Sequence, residues 1–242
     1  LGGGKLRELF GACPGLQIHE LGYPRRGGLL ERIHVWSEVL EAAGAADDSA
    51  FVVDTDSRLS QLGVLPVVPL ERYFFFNSRL NTRETARMSM SELANHWFDA
   101  VFGGGEFAYP RLWLNAGLLE RARRYTDAVR AAGCKRLMAI SLGTGGNERK
   151  SLGEAFDRKL LTALLADGET LVLLDKGIGE TELEHSRRMR EAAKEAGHAV
   201  ADVTFDDISA AAMPRGLVAV ENSIGQLAAL IFGCDAYIGY DS

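Results

Sequence analysis

The feature that most constrains the fold is a strict alternation of short apolar runs with helical patterns from Arg136 to Gly239. Arg136-Leu-Met-Ala-Ile-Ser-Leu142 reads as a buried strand that runs into Gly143-Thr144-Gly145-Gly146-Asn147. Leu152, Phe156, Leu160, Leu161, Leu164 and Leu165 then recur at helical spacing. Thr170–Asp175 is the next strand, closed by Lys176-Gly177, and a polar helix from about Glu180 to Ala196 ends at Gly197. Short strands follow at Ala199–Phe205 and Gly216–Val220. Ser223-Ile-Gly-Gln226 has the spacing of a capping box, and it opens a helix that leads to a last strand at Ala236–Gly239. Strands separated by helices predict βαβ units on a parallel sheet, hence an α/β fold.

The first half repeats this rhythm less cleanly. Leu6, Leu9 and Phe10 predict the tail of a helix, Leu16–Leu21 a strand, Leu29–Ala43 a helix and Ala50–Val53 a strand ending in Asp54-Thr55-Asp56. From Arg83 to Pro110 the pattern is helical and then glycine-rich, and Leu118, Ala122, Tyr125, Val129 and Ala132 give one apolar helix face. The domain boundary is placed near residues 110–115, dividing the chain into 1–112 and 113–242. At about 150 residues per domain, 242 residues suit one large domain or two small ones.

Composition narrows the classes of function. A hydrophobic content of 47% buries enough surface to exclude intrinsic disorder. A net charge of −6 with no basic stripe argues against nucleic acid as a partner. No run approaches the ~20 apolar residues of a membrane span. A peripheral contact at a membrane surface stays compatible with the composition, which does not argue for one. Cys13, Cys134 and Cys234 form no C-x-x-C pair, so they read as reduced thiols of a cytoplasmic protein. The five histidines show no metal spacing, and the three tryptophans and Phe74-Phe75-Phe76 read as core. The start at Leu1 rather than Met, and the stop at Tyr240-Asp241-Ser242 directly behind an apolar run, lead us to expect a fragment cut at both ends.

The strand–loop around Gly143, Thr144, Gly145 and Gly146 is the most suggestive motif. Glycines after a strand let backbone N–H groups approach an anion, and the helix that follows offers its positive end. A Walker A loop registered on Lys150-Ser151 would need glycine at Thr144 and Arg149, and the dinucleotide fingerprint would need glycine at Glu148. Asp175 ends the next strand, where a dinucleotide-binding protein keeps its ribose acid, although a turn or cap role is the plainer reading. Glu180 and Glu182, just beyond, read chiefly as helix-start acids.

Three stretches together resemble the C-terminal domain of glycosyltransferase family 9, the heptosyltransferase-like enzymes. They are the strand with Gly143-Thr144-Gly145 and Lys150 at the next helix start, the strand Leu171-Val-Leu-Leu with a glycine turn and Glu180, and the segment Ser223 to Ser242. The last is much the most specific, resembling the helix–strand that leads into an Asp-Ser-Gly-x-x-His motif. Lys5–Leu21, with Pro14, resembles the end of the first helix and the second strand more loosely. The resemblance implies a GT-B architecture of two Rossmann-like domains with parallel sheets facing across a cleft, an acceptor-side domain at 1–112 and a nucleotide-sugar domain at 113–242, both incomplete. It implies an inverting, metal-independent transfer of a heptose-like sugar from a nucleotide-sugar donor to a lipopolysaccharide or other cell-envelope glycolipid, without a cofactor, at the inner face of the cytoplasmic membrane. By the same resemblance Gly143, Thr144, Gly145 and Lys150 bind the donor, with Thr144 and Lys150 on phosphate, Asp241 and Ser242 beside the pyrophosphate, and Glu180 on the ribose. No catalytic residue is assigned, because the family's general base, an Asp in a Gly-Asp turn, corresponds to a position upstream of Leu1. The family's Lys-x-Trp-Pro stands here as Lys150-Ser-Leu-Gly, without Trp or Pro, and the fragment alone is expected to be inactive. Two other readings stand beside this one. They are an NAD(P)-dependent oxidoreductase using Gly143–Gly146 and Asp175, and a non-catalytic nucleotide-sugar-binding relative.

Overall fold

The structure, a computed structural model, describes residues 4–22, 28–44, 51–55, 68–77, 82, 84–145 and 147–240. The chain divides into two compact units. One holds Gly15–Leu112 with the segment before Glu8, and the other holds Glu8–Pro14 and Trp113–Ser242. Among the described residues, no helix is long and apolar enough to cross a membrane.

The first unit contains helix α1 in part (Lys5–Phe10), α2 (Leu29–Gly44), β1 (Val52–Thr55), β2 (Tyr73–Phe76) and α3 (Met90–Phe102). Strands β1 and β2 pair in parallel, Val52 opposite Tyr73 through Thr55 opposite Phe76. The strand expected at Leu16–Leu21 does not form beyond an isolated bridge at Glu20. The Arg7 guanidinium donates to the Ile18 carbonyl at 3.2 Å and to the Glu20 carboxylate at 2.8 Å. Phe74-Phe75-Phe76, read from sequence as core, is strand β2, with Phe76 buried and Phe75 on the exposed face.

The second unit is an α/β layer structure. After α4 (Ala116–Ala131), β3 (Arg136–Ser141), α5 (Glu154–Leu165), β4 (Thr170–Asp175), α6 (Glu180–Glu195), β5 (Val200–Thr204), β6 (Gly216–Glu221), α7 (Ile224–Phe232) and β7 (Ala236–Gly239) follow in turn. All five strands are parallel, in the order β5-β6-β4-β3-β7. Both faces are covered at β3, β4 and β6, which is why these inner strands are apolar almost throughout instead of alternating. Side chains of successive residues point to opposite faces. Leu137, Ala139, Leu171, Leu173, Val218 and Val220 therefore pack toward α4, α7 and the 3-10 turn Ile208–Ala211. Ile140, Val172, Leu174, Leu217 and Ala219 pack toward α5 and α6. The strand order places the fourth strand of the unit between the third and second, unlike the 3-2-1-4-5-6 order of dinucleotide-binding domains.

Local chemistry fixes the ends of these elements. The Ser223 hydroxyl accepts from the Gln226 N–H, and the Gln226 side chain accepts from the Ser223 N–H at 2.8 Å, so the capping box read from sequence is present. Asp235, before β7, accepts from the Leu137 N–H at 2.7 Å and from Arg130 at 2.6 Å, tying β7 and the end of α4 to the start of β3. The Arg130 guanidinium, aided by the Leu137 N–H, holds the Asp235 carboxyl below its usual range. A carboxylate whose value falls on folding stabilises the native state above its unfolded value, near pH 4, and that contribution is lost as pH drops further. We therefore expect Asp235→Asn to lower stability at neutral pH and to flatten the acid limb of a stability–pH profile measured by urea unfolding. A limb of unchanged steepness would contradict this assignment.

Candidate functional site

The carboxyl ends of β3, β4 and β6 are locked together by one side chain. Asp175 accepts from the Ser141 hydroxyl at 2.8 Å, the Gly177 N–H at 3.0 Å and the Asn222 amide at 3.3 Å. Ser141 ends β3 directly opposite Asp175, and Asn222 follows β6. Lys176, its side chain only 13% exposed, reaches Asp202 at 3.1 Å and Glu221 at 3.2 Å. The turn role read for Asp175 is what the geometry gives. Both its oxygens are already engaged, which leaves it poorly placed to bind a ribose as the oxidoreductase reading requires.

Above this lock the loops after β3 and β4 separate and leave a cleft of about 340 Å³, within the range of small-ligand sites. Its walls include Gly143, Thr144, Ser151, Gly153, Glu154, Asp175, Lys176, Glu182, His185, Ser186 and Arg188. A cleft at the carboxyl ends of parallel strands is where open α/β sheets bind ligands. The helices α5 and α6 begin beside it behind Gly153 (φ +89°) and Gly179 (φ +105°), neither of which gives a side-chain cap. Uncapped first-turn N–H groups and the positive end of the helix favour an anion there.

The carboxylate that enters the cleft is Glu182. Its Oε2 accepts from the Ile178 N–H at 2.7 Å, and the side chain lies between two glycines. A Cβ on Gly143 would stand 2.8 Å from Glu182 Oε1, and one on Gly177 (φ +75°) would stand 2.6 Å from Oε2. Both positions therefore demand glycine while Glu182 keeps this place.

A second carboxylate lies deeper. Asp157, 1% exposed in the first turn of α5, accepts from the Tyr240 hydroxyl at 2.5 Å, and its other oxygen lies 2.9 Å from His185 Nε2. Tyr240 also accepts from the Leu152 N–H at 3.1 Å, so the residue after β7 holds the loop after β3. Burial and the Asp157 carboxylate raise the Tyr240 hydroxyl above its ordinary value.

Of the residues singled out from sequence, Gly143 and Thr144 line the cleft together. Gly145 is exposed at a left-handed turn, φ +60°. Lys150 is exposed at the end of the 3-10 turn Glu148–Lys150, and Glu180 is exposed at the first position of α6; neither is in the cleft wall. Asp241 and Ser242 lie outside the described residues. Sequence reasoning passed over Asp157, His185 and Ser186. The available signal was Asp157 itself, an acid four residues before Leu161 and eight before Leu165, on the apolar stripe of its helix. Among the described residues, no group of three or more His, Cys, Asp and Glu side chains converges as a metal site would require.

No protein-family model and no curated protein matches this sequence. Among solved structures, E. coli ADP-heptose LPS heptosyltransferase II is similar to 88% of the chain at 13% identity, with a TM-score of 0.48. The chain spans 62% of that enzyme's length. A likeness at that level carries no argument by itself, and the chemistry has to be read from the cleft.

Proposed function

We propose that this chain is part of a glycosyltransferase that takes a nucleotide-sugar donor in the β3–β4 cleft. The observation that carries the reading is the cleft itself, at the carboxyl ends of parallel strands, with Gly143 and Thr144 in its wall and two uncapped helix starts beside it. The motif resemblance over Ser223–Ser242 supports the same reading from sequence. In full the proposal is an inverting, metal-independent transfer of a heptose-like sugar to a lipopolysaccharide or related glycolipid acceptor, at the inner face of the cytoplasmic membrane.

In such a transfer the acceptor oxygen bonds to the anomeric carbon as the bond to the diphosphate breaks, and negative charge grows on the leaving diphosphate. Preorganised N–H and hydroxyl donors lower that barrier. The proposed phosphate donors are the Thr144 hydroxyl and the backbone at Gly145, with Lys150, the Ser242 hydroxyl and the backbone N–H groups of Asp241 and Ser242 completing the contacts, while Gly143, packed against Glu182, shapes the sugar end of the donor site. Glu182 joins Glu180 as a carboxylate for sugar hydroxyls. The residues of this chain act on the donor side, binding and orienting it. No base for the proton of the acceptor hydroxyl is assigned.

Calorimetric titration with ADP, UDP, GDP, CDP and NADH tests this. One nucleoside diphosphate should bind saturably, and Thr144→Val should weaken it about tenfold, the worth of one hydrogen bond to a charged group. Saturable binding of NADH with none of any nucleoside diphosphate would overturn the reading.

A further inference from the structure

One wall of the cleft has polar groups that the phosphate contacts do not use. Ser186 is 2% exposed and lines the cleft, yet its hydroxyl has no hydrogen-bond partner among the described residues. A serine inside a helix ordinarily returns its hydroxyl to a carbonyl one turn back or shows it to solvent. A buried hydroxyl that does neither, and that stands in the wall of a cleft, is open to a partner from outside the chain. His185, next to it, also lines the cleft, with Nε2 2.9 Å from the buried Asp157 carboxylate. That carboxylate holds the ring in the cleft wall, where an imidazole nitrogen can hydrogen-bond a ligand hydroxyl.

We infer that Ser186 and His185 form a subsite for the vicinal hydroxyls of a sugar ring, with Asp157 as the positioning residue. This rests on the donor reading above and gives that donor's sugar ring a place. Charge decides between hydroxyls and phosphate on this wall. Its two permanent cations are committed elsewhere, Lys176 to Asp202 and Glu221, and Arg188 to Glu154 at 3.0 Å and Glu184 at 3.1 Å. The carboxylate of Glu182 faces the same space. An anion there would meet a carboxylate without a spare permanent cation, whereas a diol gives a proton to Glu182 and exchanges hydrogen bonds with His185 and Ser186. The hydroxyls belong either to the nucleotide's ribose or to the transferred sugar.

The test is calorimetry on the chain with the nucleoside diphosphate that binds, its 2′,3′-dideoxy form and its hexose-linked form. Loss of the ribose diol should weaken binding about tenfold if the ribose is read. If the transferred sugar is read, the hexose-linked form should instead gain about tenfold over the plain diphosphate. Ser186→Ala and His185→Gln should each abolish whichever difference exists while leaving the ligand without that diol unaffected. Ser186→Cys, closer in volume, serves where the alanine variant unfolds. Asp157→Asn should reduce the same difference and move the His185 ring ¹⁵N resonances, which a merely structural role would not couple to one hydroxyl pair. Equal affinities for all three forms, or differences that survive both variants, would overturn the subsite and leave the donor reading standing. Absence of binding by every nucleoside diphosphate would overturn the donor reading, and the subsite with it.

Discussion

Gly216→Ala should destabilise the second unit by about 3–5 kcal/mol, a sum of backbone strain and overpacking. Gly216 opens β6 at φ +110°, a conformation L side chains rarely adopt. A Cβ there would run into the Ala199 carbonyl oxygen, which is itself fixed by accepting the Leu217 N–H at 2.9 Å. The obstacle is backbone, so no side-chain rotation relieves it. β6 lies between β5 and β4, and Asn222 behind it holds the Asp175 lock under the cleft. The variant should therefore lose thermal stability by about 10 °C or more, and ligand binding along with it. A melting temperature within two or three degrees of the parent, on the same scale, would show that the start of β6 is not built this way.

Tyr125→Ala is the second large loss, expected at about 3–5 kcal/mol from vanished contacts and the cavity left behind. Tyr125 is 0% exposed in α4 and packs with Leu137, Leu171, Phe205 and Leu230 in the cluster on one sheet face. Its hydroxyl is buried without a partner among the described residues, and burial pushes its pKa upward. Tyr125→Phe should consequently leave stability unchanged or raise it by about 1 kcal/mol, since it removes a desolvated polar atom and keeps the ring. The pair of variants separates shape from polarity in chemical denaturation. A phenylalanine variant as unstable as the alanine one would contradict the packing described here.

The second unit was legible in sequence because each of its elements carries its own signal. The runs at Thr170–Asp175 and Ala236–Gly239 became β4 and β7 with those same bounds, and Ser223 with Gln226 announced the start of α7. Strands buried on both faces are apolar throughout and stand out between polar helices. The first unit was harder to read. Leu16–Leu21 looked like a strand, but a strand needs a partner from elsewhere in the chain, and only an isolated bridge at Glu20 forms. The strand β2 was hidden because Tyr73-Phe-Phe-Phe76 is equally an apolar cluster, and its pairing with β1 is a non-local fact.

The candidate site divides in the same way. Gly143 and Thr144 were readable because a glycine-rich turn after a strand has a local cause. The choice of Glu182 over Glu180 for the cleft was not, since it depends on which face of α6 meets the loop after β3. The meeting of Asp157, His185 and Tyr240 brings together a helix start, a second helix and the residue after the last strand, so no spacing in the chain could announce it.

The proposed place for a nucleoside diphosphate is the cleft between the loops after β3 and β4. Amide chemical-shift mapping on the ¹⁵N-labelled chain tests it most directly, with ADP, UDP, GDP and CDP titrated in turn. Saturable shifts are expected for at least one of them, largest at Gly143, Thr144, Glu182, His185 and Ser186. Saturable shifts centred elsewhere in the chain, or none with any of the four at millimolar concentration, would contradict it.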